Sequence, residues 1–373
     1  MTIAERSRKG GAFLIEETGA SEVFTPEDFS EEQRQLADTV EHFVAREVIP
    51  HAERIENHDF APVRSLMKRA GELGLLMIDV PEEFGGLELD KVTSALVTEK
   101  IFSSCYSGFA GAFCIQTGLG TIPLIYYGTR AQKEKYLGRI ITGDLITAYC
   151  LTEPDAGSDA LGAKTSAVLS ADGREYVLNG TKQFITNGGI AGLYTVFAKV
   201  DREHFTAFLV ERSFPGVTAG PEEKKLGIRG TSTTAVILED ARVPVGNVLG
   251  KVGKGHKIAF NILNIGRFKL GAWATGVAKV ALAEGARYAN ARRQFGVPIA
   301  SFGAIREKIA DIVADIFRSE SIVYRVAGLL DRRLETIEKG TPDYYRIYQK
   351  GIEEYAAECA IAKVYGSEAL DRI

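Results

Sequence analysis

Residues 149–159 of this 373-residue chain read Tyr149-Cys150-Leu151-Thr152-Glu153-Pro154-Asp155-Ala156-Gly157-Ser158-Asp159. The pattern of apolar and polar residues changes at this stretch. Helical patterns precede this stretch, and short alternating strand patterns with Asn-Gly and Asp-Gly turns follow it. Pro154 removes a backbone donor and disfavours a helical conformation at Glu153, while Gly157 permits a close turn. Such a loop can present N–H and O–H donors to a flat polar ring or a phosphate. It can equally be a simple bend between two domains.

Upstream of this loop, the sequence predicts an irregular leader over residues 1–28 and an N-terminal helical domain over residues 29–147. Ser30 and Gln33 fit a capping box, in which the two side chains satisfy free backbone amides at the start of a helix. A second capping box begins at Thr129. These signals place two helix starts within the predicted helical domain.

Downstream of the loop, residues 148–250 predict a middle β domain, an antiparallel sandwich or barrel. Asp172-Gly173 and Asn179-Gly180 are strong turn signals between its strands. The predicted strands are short and cover residues 165–169, 176–178, 194–200, 206–211 and 234–238.

Residues 251–373 predict a C-terminal helical bundle. Its first helical pattern carries the small residues Gly271, Ala272, Ala274 and Gly276, which permit another helix to approach closely. The last helical pattern is still running at Ile373 without a cap, a Gly or a Pro. We therefore predict that the bundle is truncated at its C-terminal end.

Composition excludes several classes of function. A net charge of −4 gives no reason to expect nucleic-acid binding, and 45% hydrophobic with 25% charged residues is typical of a soluble globular protein. Cys105, Cys114, Cys150 and Cys359 form no Cys-x-x-Cys pair, so we predict buried free thiols and no metal site. No apolar run approaches the ~20 residues of a transmembrane helix. We expect a cytoplasmic protein, with peripheral membrane contact left open.

Three segments of the chain resemble, in order, the motifs of the acyl-CoA dehydrogenase family. The first is Tyr-x-Leu-Thr-Glu-Pro-x-Ala-Gly-Ser-Asp at 149–159, the second is Lys-Gln-Phe-Ile-Thr-Asn-Gly-Gly at 182–189, and the third is Arg-Arg-Gln-Phe-Gly at 292–296. The resemblance covers nearly all of the chain after about residue 28. It implies an α+β fold in the family's order: a helical domain, a β domain and a helical bundle.

Further segments are similar to the very-long-chain branch of that family. They are residues 262–268, 302–308 and 363–368. The resemblance implies a fatty acyl-CoA substrate. It leaves the preferred chain length open, because that preference depends on the depth of the cavity between helices.

The family resemblance implies FAD as the cofactor, held between the β domain and the helical bundle. By motif, Tyr149, Leu151 and Thr152 would line the flavin ring. Thr186 would donate to the flavin nitrogen that accepts hydride. Phe184 would cover one flavin face where the family usually has Trp, so an apolar face is kept and the indole donor is lost.

The resemblance also assigns residues to the nucleotide and coenzyme A parts of the site. Gly157 and Ser158 would approach FAD and the CoA arm, with Asp155 standing where the family usually has Gly. Asn264 and Arg267 would bind the substrate near the thioester, with Ser158 as a further substrate contact.

A third set of implied contacts crosses to another subunit. Arg292, Gln294 and Phe295 match the family segment that reaches the FAD of a neighbouring subunit. Arg292 suits a pyrophosphate because its planar fork matches two oxygens. The resemblance therefore implies a homodimer or homotetramer.

The reaction implied is α,β-dehydrogenation of a fatty acyl-CoA thioester in fatty acid β-oxidation, with an electron-transferring flavoprotein as the electron acceptor. The family's catalytic base is usually a Glu in a C-terminal Glu-Gly-Thr motif, which this sequence lacks. Some relatives carry the Glu on an earlier helix, where this chain has Gly266. We therefore predict no catalytic base in this chain. Two alternatives stay open: a non-catalytic member that binds acyl-CoA or a partner protein, and a flavin oxidase on the same scaffold.

Overall fold

A computed structural model describes residues 9–104, 106–341 and 343–373 of the chain. Cys105 and residues 1–8 of the predicted leader lie outside the described residues. The chain divides into two units. The bundle unit contains the described residues of 1–49, 90–105 and 264–373. The sheet unit contains residues 50–89 and 106–263.

Helices in both units follow the predicted patterns, and the two capping boxes are confirmed. The Ser30 hydroxyl accepts from the Gln33 amide at 3.2 Å, and Thr129 caps its helix in the same way through Gln132. The helices are α1 (Glu31–Phe43), α2 (Ala52–Glu56), α3 (Ala61–Glu72), α4 (Lys91–Ile101), α5 (Ser107–Thr117), α6 (Ile122–Tyr127), α7 (Arg130–Ile141), α8 (Gly255–Ala291), α9 (Gly303–Leu334), α10 (Tyr344–Glu354) and α11 (Ala356–Arg372).

Strands fill the middle of the chain. They are β1 (Thr147–Cys150), β2 (Ser166–Leu169), β3 (Glu175–Thr186), β4 (Leu193–Val200), β5 (His204–Glu211), β6 (Val217–Glu222), β7 (Thr233–Pro244) and β8 (Val248–Leu249), with β9 (Arg293–Gln294) and β10 (Val297–Pro298) as a separate hairpin. The helical, β and helical order predicted from the sequence is confirmed. The exact domain boundaries stay a prediction.

The sheet of the sheet unit is mixed, which corrects the prediction of an antiparallel domain. Its order is β6-β7-β3-β2-β4-β5-β8, and β1 pairs with the first half of β4. Both β1 and β2 run parallel to β4, whereas the other pairings are antiparallel. All four residues of β1 are buried, as expected for a strand covered on both faces, so β1 shows no alternation of apolar and polar residues.

A buried glutamine fixes the start of β1. The Gln116 side-chain amide donates to the carbonyls of Ile140 and Leu145, while its oxygen accepts from the backbone amide and hydroxyl of Thr147. All of its polar capacity is therefore used within the sheet unit. This contact sets where β1 begins, and hence where the loop at 151–159 leaves the sheet.

In the bundle unit, α4 is the central helix, because every one of its residues except Lys100 is buried. The buried Glu99 accepts from Lys279 of α8 at 2.7 Å and from the Tyr324 hydroxyl of α9 at 2.9 Å. A Cβ at Gly276 would overlap the backbone carbonyl of Glu99. Of the small residues predicted to allow close helix approach, Gly276 therefore does so at α4 and Gly271 at Ala362 of α11.

The described part of the leader is irregular, as predicted, but it is closely packed on the bundle unit. It contains short 3-10 turns at Ala12–Leu14, Ala20–Glu22 and Pro26–Asp28. Phe29 packs edge-on against Tyr324, with ring centroids 4.8 Å apart. Arg332 donates to the carbonyl of Glu22 at 2.6 Å.

One stretch, Ser107–Tyr127, is long and apolar enough to cross a membrane, although 72% of its apolar window is buried inside the protein. The structure divides it into α5 and α6. Of the described cysteines, Cys150 and Cys359 are buried free thiols, as predicted, whereas Cys114 is half-buried.

Helix packing at Gly276 generates the first prediction. Gly276→Ala should destabilise the protein by about 1–3 kcal/mol, because the added methyl group meets a backbone carbonyl that cannot move aside. Gly285→Ala in the same helix is the control, because a Cβ there would meet nothing within 4 Å. Better helix propensity should make the control neutral or more stable by up to about 1 kcal/mol. Urea unfolding of both variants measures this, and equal effects would contradict the packing at α4.

Asp331 of α9 caps α4 from outside the helix. Its carboxylate accepts from the amides of Lys91 at 2.6 Å and Val92 at 2.9 Å. Burial, with the nearby carboxylate of Asp90, raises the pKa of Asp331 to about 7. Since this folded-state pKa lies above the ordinary 3.8, the folded protein holds a proton that the unfolded chain releases.

Stability contributed by Asp331 is therefore complete below pH 3.8 and is lost as the pH rises to about 7. The free energy of unfolding should fall by about 2–3 kcal/mol between pH 5 and pH 8 through this group. Asp331→Asn should flatten that dependence, whereas Asp311→Asn, an exposed change on the same helix, should leave it intact. Urea unfolding at both pH values tests this, and an unchanged slope in Asp331→Asn would refute it.

Candidate functional site

The loop at 151–159 is held to β3 by a buried ion pair. Lys182 Nζ lies 2.7 Å from Glu153 Oε1, and the two side chains are 0% and 5% exposed. Glu153 also accepts from the backbone amides of Lys164 at 2.6 Å and Thr165 at 3.1 Å. A buried carboxylate that is paired and fully hydrogen-bonded can be accommodated, whereas an unpaired one is costly. The pair therefore fixes the first sequence motif against the second.

The electrostatics of the pair follow from this geometry. Burial by itself would raise the pKa of Glu153, but the Lys182 ammonium and the backbone amides outweigh burial and hold that pKa below its ordinary value. Burial lowers the pKa of Lys182, and the Glu153 carboxylate opposes the change. The sequence placed both residues inside motifs but gave neither a role. Lys182 lies outside the strands predicted from the sequence, so no local pattern signalled its burial.

Next to Lys182, β3 contains a bulge. The pairing of β3 with β7 shifts register between Lys182 and Ile185, and Phe184 takes a left-handed backbone conformation with φ 57°. This conformation is strained for a bulky side chain. The bulge leaves the Phe184 ring 63% exposed. An aromatic face is thus presented to a ligand rather than to the core.

Both sides of this bulge are anchored. On one side, the Gln183 amide donates to the carbonyl of Thr152 at 2.9 Å, which brings Thr152 alongside the bulge. On the other, the Asn187 side chain donates to the carbonyls of Ala112 and Thr147, both at 3.1 Å. The predicted residues Phe184 and Thr186 therefore lie on one anchored strand of the sheet unit, with Thr152 on the loop held beside it.

Several side-chain polar atoms at or near the bulge in β3 have no hydrogen-bond partner among the described residues. Within residues 9–104, 106–341 and 343–373, the hydroxyls of Thr152, Ser158 and Thr186 make no hydrogen bond. The buried Asn187 Oδ1 and Thr234 Oγ1 also have no partner there. Thr234 pairs with Ile185 across the sheet. Hydroxyl donors beside an exposed aromatic ring suit a flat polar ligand.

The other predicted site residues in the sheet unit differ in burial and exposure. Tyr149 is buried, its hydroxyl donates to the Ala259 carbonyl at 3.1 Å, and burial raises the pKa of that hydroxyl well above its ordinary value. Its side chain is therefore committed to packing, and Leu151 is half-buried beside it. Gly157 is exposed, as is Ser158, and a Cβ at Gly157 would meet nothing within 4 Å.

In the bundle unit, Arg292, Gln294 and Phe295 come together at an exposed hairpin formed by β9 and β10. Phe295 is 93% exposed and has φ 51°, followed by Gly296 at φ 81°. The Arg293 side chain closes the turn by donating to the Gly296 carbonyl at 2.8 Å. An exposed aromatic residue at a strained turn is placed to contact another molecule.

Asn264 and Arg267 lie on one face of α8, as their spacing predicts. Arg267 donates to Asn264 Oδ1 at 2.9 Å, and Asn264 is 4% exposed. The buried amide therefore orients the guanidinium. Gly266 stands between them in the sequence, so the alternative base position carries no side chain.

Comparison with protein families gives three matches in chain order. Residues 30–144 match the acyl-CoA dehydrogenase N-terminal domain, residues 148–241 match the middle domain, and residues 253–373 match the C-terminal domain. Together these profiles cover most of the chain.

Curated relatives agree with these matches. The chain is 50% identical over 366 residues to a "Probable acyl-CoA dehydrogenase" of Bacillus subtilis (strain 168), covering 98% of this chain and 61% of that protein. It is 40% identical to an "Acyl-CoA dehydrogenase" of the same organism, covering 82% of this chain and 80% of that protein. It is also 40% identical to the human "Very long-chain specific acyl-CoA dehydrogenase, mitochondrial", covering 80% of this chain and 44% of that protein.

A solved structure shares the fold closely. The acyl-CoA dehydrogenase of Bacillus anthracis complexed with FAD superposes with a TM-score of 0.96 at 51% identity. The match covers 98% of this chain and 62% of that chain. This chain thus spans about three fifths of two of its most similar relatives.

The buried ion pair generates the next prediction. Lys182→Met should destabilise the protein by about 3–5 kcal/mol, because Glu153 would remain buried without its cation. Lys164→Met is the matched control. It breaks the 2.8 Å pair with Asp155, whose side chains are 74% and 71% exposed, and should cost at most about 1 kcal/mol.

Urea unfolding measures both changes. The double variant Lys182→Met with Glu153→Gln should cost less than the sum of the two single changes, because neither charge is then left buried alone. Strictly additive effects would show that the two side chains do not stabilise each other.

Proposed function

This chain belongs to the acyl-CoA dehydrogenase family, and from that premise we propose that it binds FAD and takes part in the α,β-dehydrogenation of fatty acyl-CoA thioesters. FAD is named in the Bacillus anthracis structure with which this chain shares 51% identity. We further propose fatty acid β-oxidation as the setting and the cytoplasm as the location.

The observation that carries the proposal is the bulge at Phe184. The aromatic side chain of Phe184 is exposed at a strained bulge, on the same strand as the free hydroxyl of Thr186. The loop held beside that strand carries the free hydroxyl of Thr152. A flavin has a flat apolar face and a polar edge with several acceptors, so this donor set fits it.

Each residue has a distinct part in this proposal. Phe184 would pack on the flavin face, and Thr186 and Thr152 would donate to the polar edge. Bound FAD would supply the acceptor for a hydride from the substrate. Tyr149 would act indirectly, because its buried hydroxyl fixes the strand from which the loop departs. Leu151 would add an apolar contact at the start of that loop.

Substrate contacts are proposed for both units. Arg267, oriented by Asn264, would bind the thioester arm of the acyl-CoA. The exposed loop residues Gly157 and Ser158 would approach the CoA arm and FAD, with room for a ligand at Gly157. No residue of this chain is assigned as the catalytic base.

Assembly and electron transfer complete the proposal. Arg292, Gln294 and Phe295 would contact the FAD of a second copy of the chain, in a homodimer or homotetramer. Their exposure on the hairpin supports this role. An electron-transferring flavoprotein would reoxidise FAD. The 40% identity to the human very-long-chain enzyme supports placing this chain in that branch.

An anaerobic visible spectrum of the purified protein with FAD, before and after palmitoyl-CoA, tests the proposal. We expect a yellow protein. Bleaching by palmitoyl-CoA also requires a group that takes the α proton, so bleaching would show that the chain supplies a base beyond the residues assigned above. In a protein that bleaches, Thr186→Val should retain FAD but bleach about 10²-fold more slowly, because one hydrogen-bond donor at the reacting edge is lost. Thr218→Val, an exposed change on β6, is the control and should bleach at the normal rate.

Three outcomes would contradict the proposal in different ways. A colourless protein after FAD reconstitution would refute flavin binding. A yellow protein that does not bleach would favour a non-catalytic role in binding acyl-CoA or a partner. A bleached protein that air reoxidises within the mixing time would favour a flavin oxidase.

A further inference from the structure

The bundle unit contains a cavity of about 160 Å³ that the proposed function does not use. Its walls come from the leader, α9 and α11, and none of its lining residues belongs to the candidate site. The apolar part of the wall includes Phe13, Ile322, Val326 and Ile361. Two charged residues, Arg325 and Glu358, also line it. The wall of this cavity is therefore apolar except for one positive and one negative side chain.

Glu358 supplies an unsatisfied acceptor. The residue is 5% exposed, and its Oε1 accepts from the Gly11 amide at 2.6 Å. Its Oε2 is buried and has no hydrogen-bond partner in the part of the chain that the structure describes. A buried carboxylate oxygen without a donor is costly. No cation among the described residues forms an ion pair with Glu358, so a cationic ligand in the cavity would compensate its charge.

Arg325 supplies the complementary donors. One of its terminal nitrogens donates to the Thr18 hydroxyl at 3.2 Å. No carboxylate among the described residues pairs with it. A guanidinium has five N–H donors, so most of its capacity is left for an anionic group. The two charged residues of the wall are therefore complementary to a ligand that carries both a cationic donor and an anionic acceptor.

We propose that this cavity binds an apolar α-amino acid. Its ammonium group would donate to Glu358, its carboxylate would accept from Arg325, and its side chain would fill the apolar part. The volume agrees with a small ligand, because a cavity of about 150 Å³ holds a molecule of the size of benzene. An amino acid with a branched aliphatic side chain, such as leucine, combines the two charged groups with an apolar side chain.

Binding would also act on the leader. Glu358 and Arg325 each hold one point of the leader, at Gly11 and Thr18, and Phe13 between them forms part of the wall. A ligand in the cavity would therefore contact the leader at Phe13. Ligand binding should slow hydrogen exchange at the amides of residues 11–16.

Isothermal titration of the purified protein with three compounds tests the proposal. L-leucine should bind. Isopentylamine lacks the carboxylate and 4-methylpentanoate lacks the ammonium group, so each should bind at least about tenfold more weakly, because one buried charge is left unpaired. No heat with L-leucine at millimolar concentration, or equal affinity for 4-methylpentanoate, would overturn the proposal.

Variants give the second arm of the test. Glu358→Gln keeps an acceptor for the Gly11 amide and removes the charge, so it should weaken leucine binding by about tenfold or more. Glu353→Gln makes the same change at an exposed position nearby and should bind leucine normally. Ile361→Trp, at a residue 42% exposed, should fill the cavity without disturbing the core. Unchanged leucine affinity in Glu358→Gln or in Ile361→Trp would refute the assignment.

Discussion

The buried pair between Glu153 and Lys182 is the constraint on which the candidate site depends. Both charges lie out of contact with water, and each oxygen of the carboxylate has a donor. The loop at 151–159 cannot leave β3 without unpairing a buried charge, which would cost several kcal/mol. The pair therefore does more than stabilise the sheet unit. It holds Thr152 beside the strand that carries Phe184 and Thr186.

The same ion pair helps to hold the backbone of Phe184 in its strained conformation. A bulky residue in the left-handed region persists only where its surroundings leave no alternative. Here Lys182 is fixed by its ion pair before the bulge, and Asn187 is fixed by two side-chain hydrogen bonds after it. The strained residue lies between two anchors. Its exposed ring is thus presented in one orientation, which is the condition for a preorganised ligand face.

Polar groups also decide the arrangement of the bundle unit. The buried helix α4 carries Glu99, and its N-cap residue Asp90 satisfies only the Thr93 amide of the first turn. Lys279 and Tyr324 bind Glu99, and Asp331 caps the first amides. These partners are on α8 and α9. Specific helix neighbours are thus required by hydrogen bonding, and not only by the apolar surface that the helices share.

The sequence by itself determined the order of helical and β regions, the capping boxes at Ser30 and Thr129, and the motifs that identify the family. Those features depend on residues within a few positions of each other. The tertiary structure alone decided the parallel pairing of β1, the bulge at Phe184 and the burial of Lys182. It also decided the cavity at Glu358. Glu153 and Lys182 are 29 positions apart, and Gly11 and Glu358 are 347 apart. Burial and strain arise from such distant contacts, and no local pattern of residues encodes them.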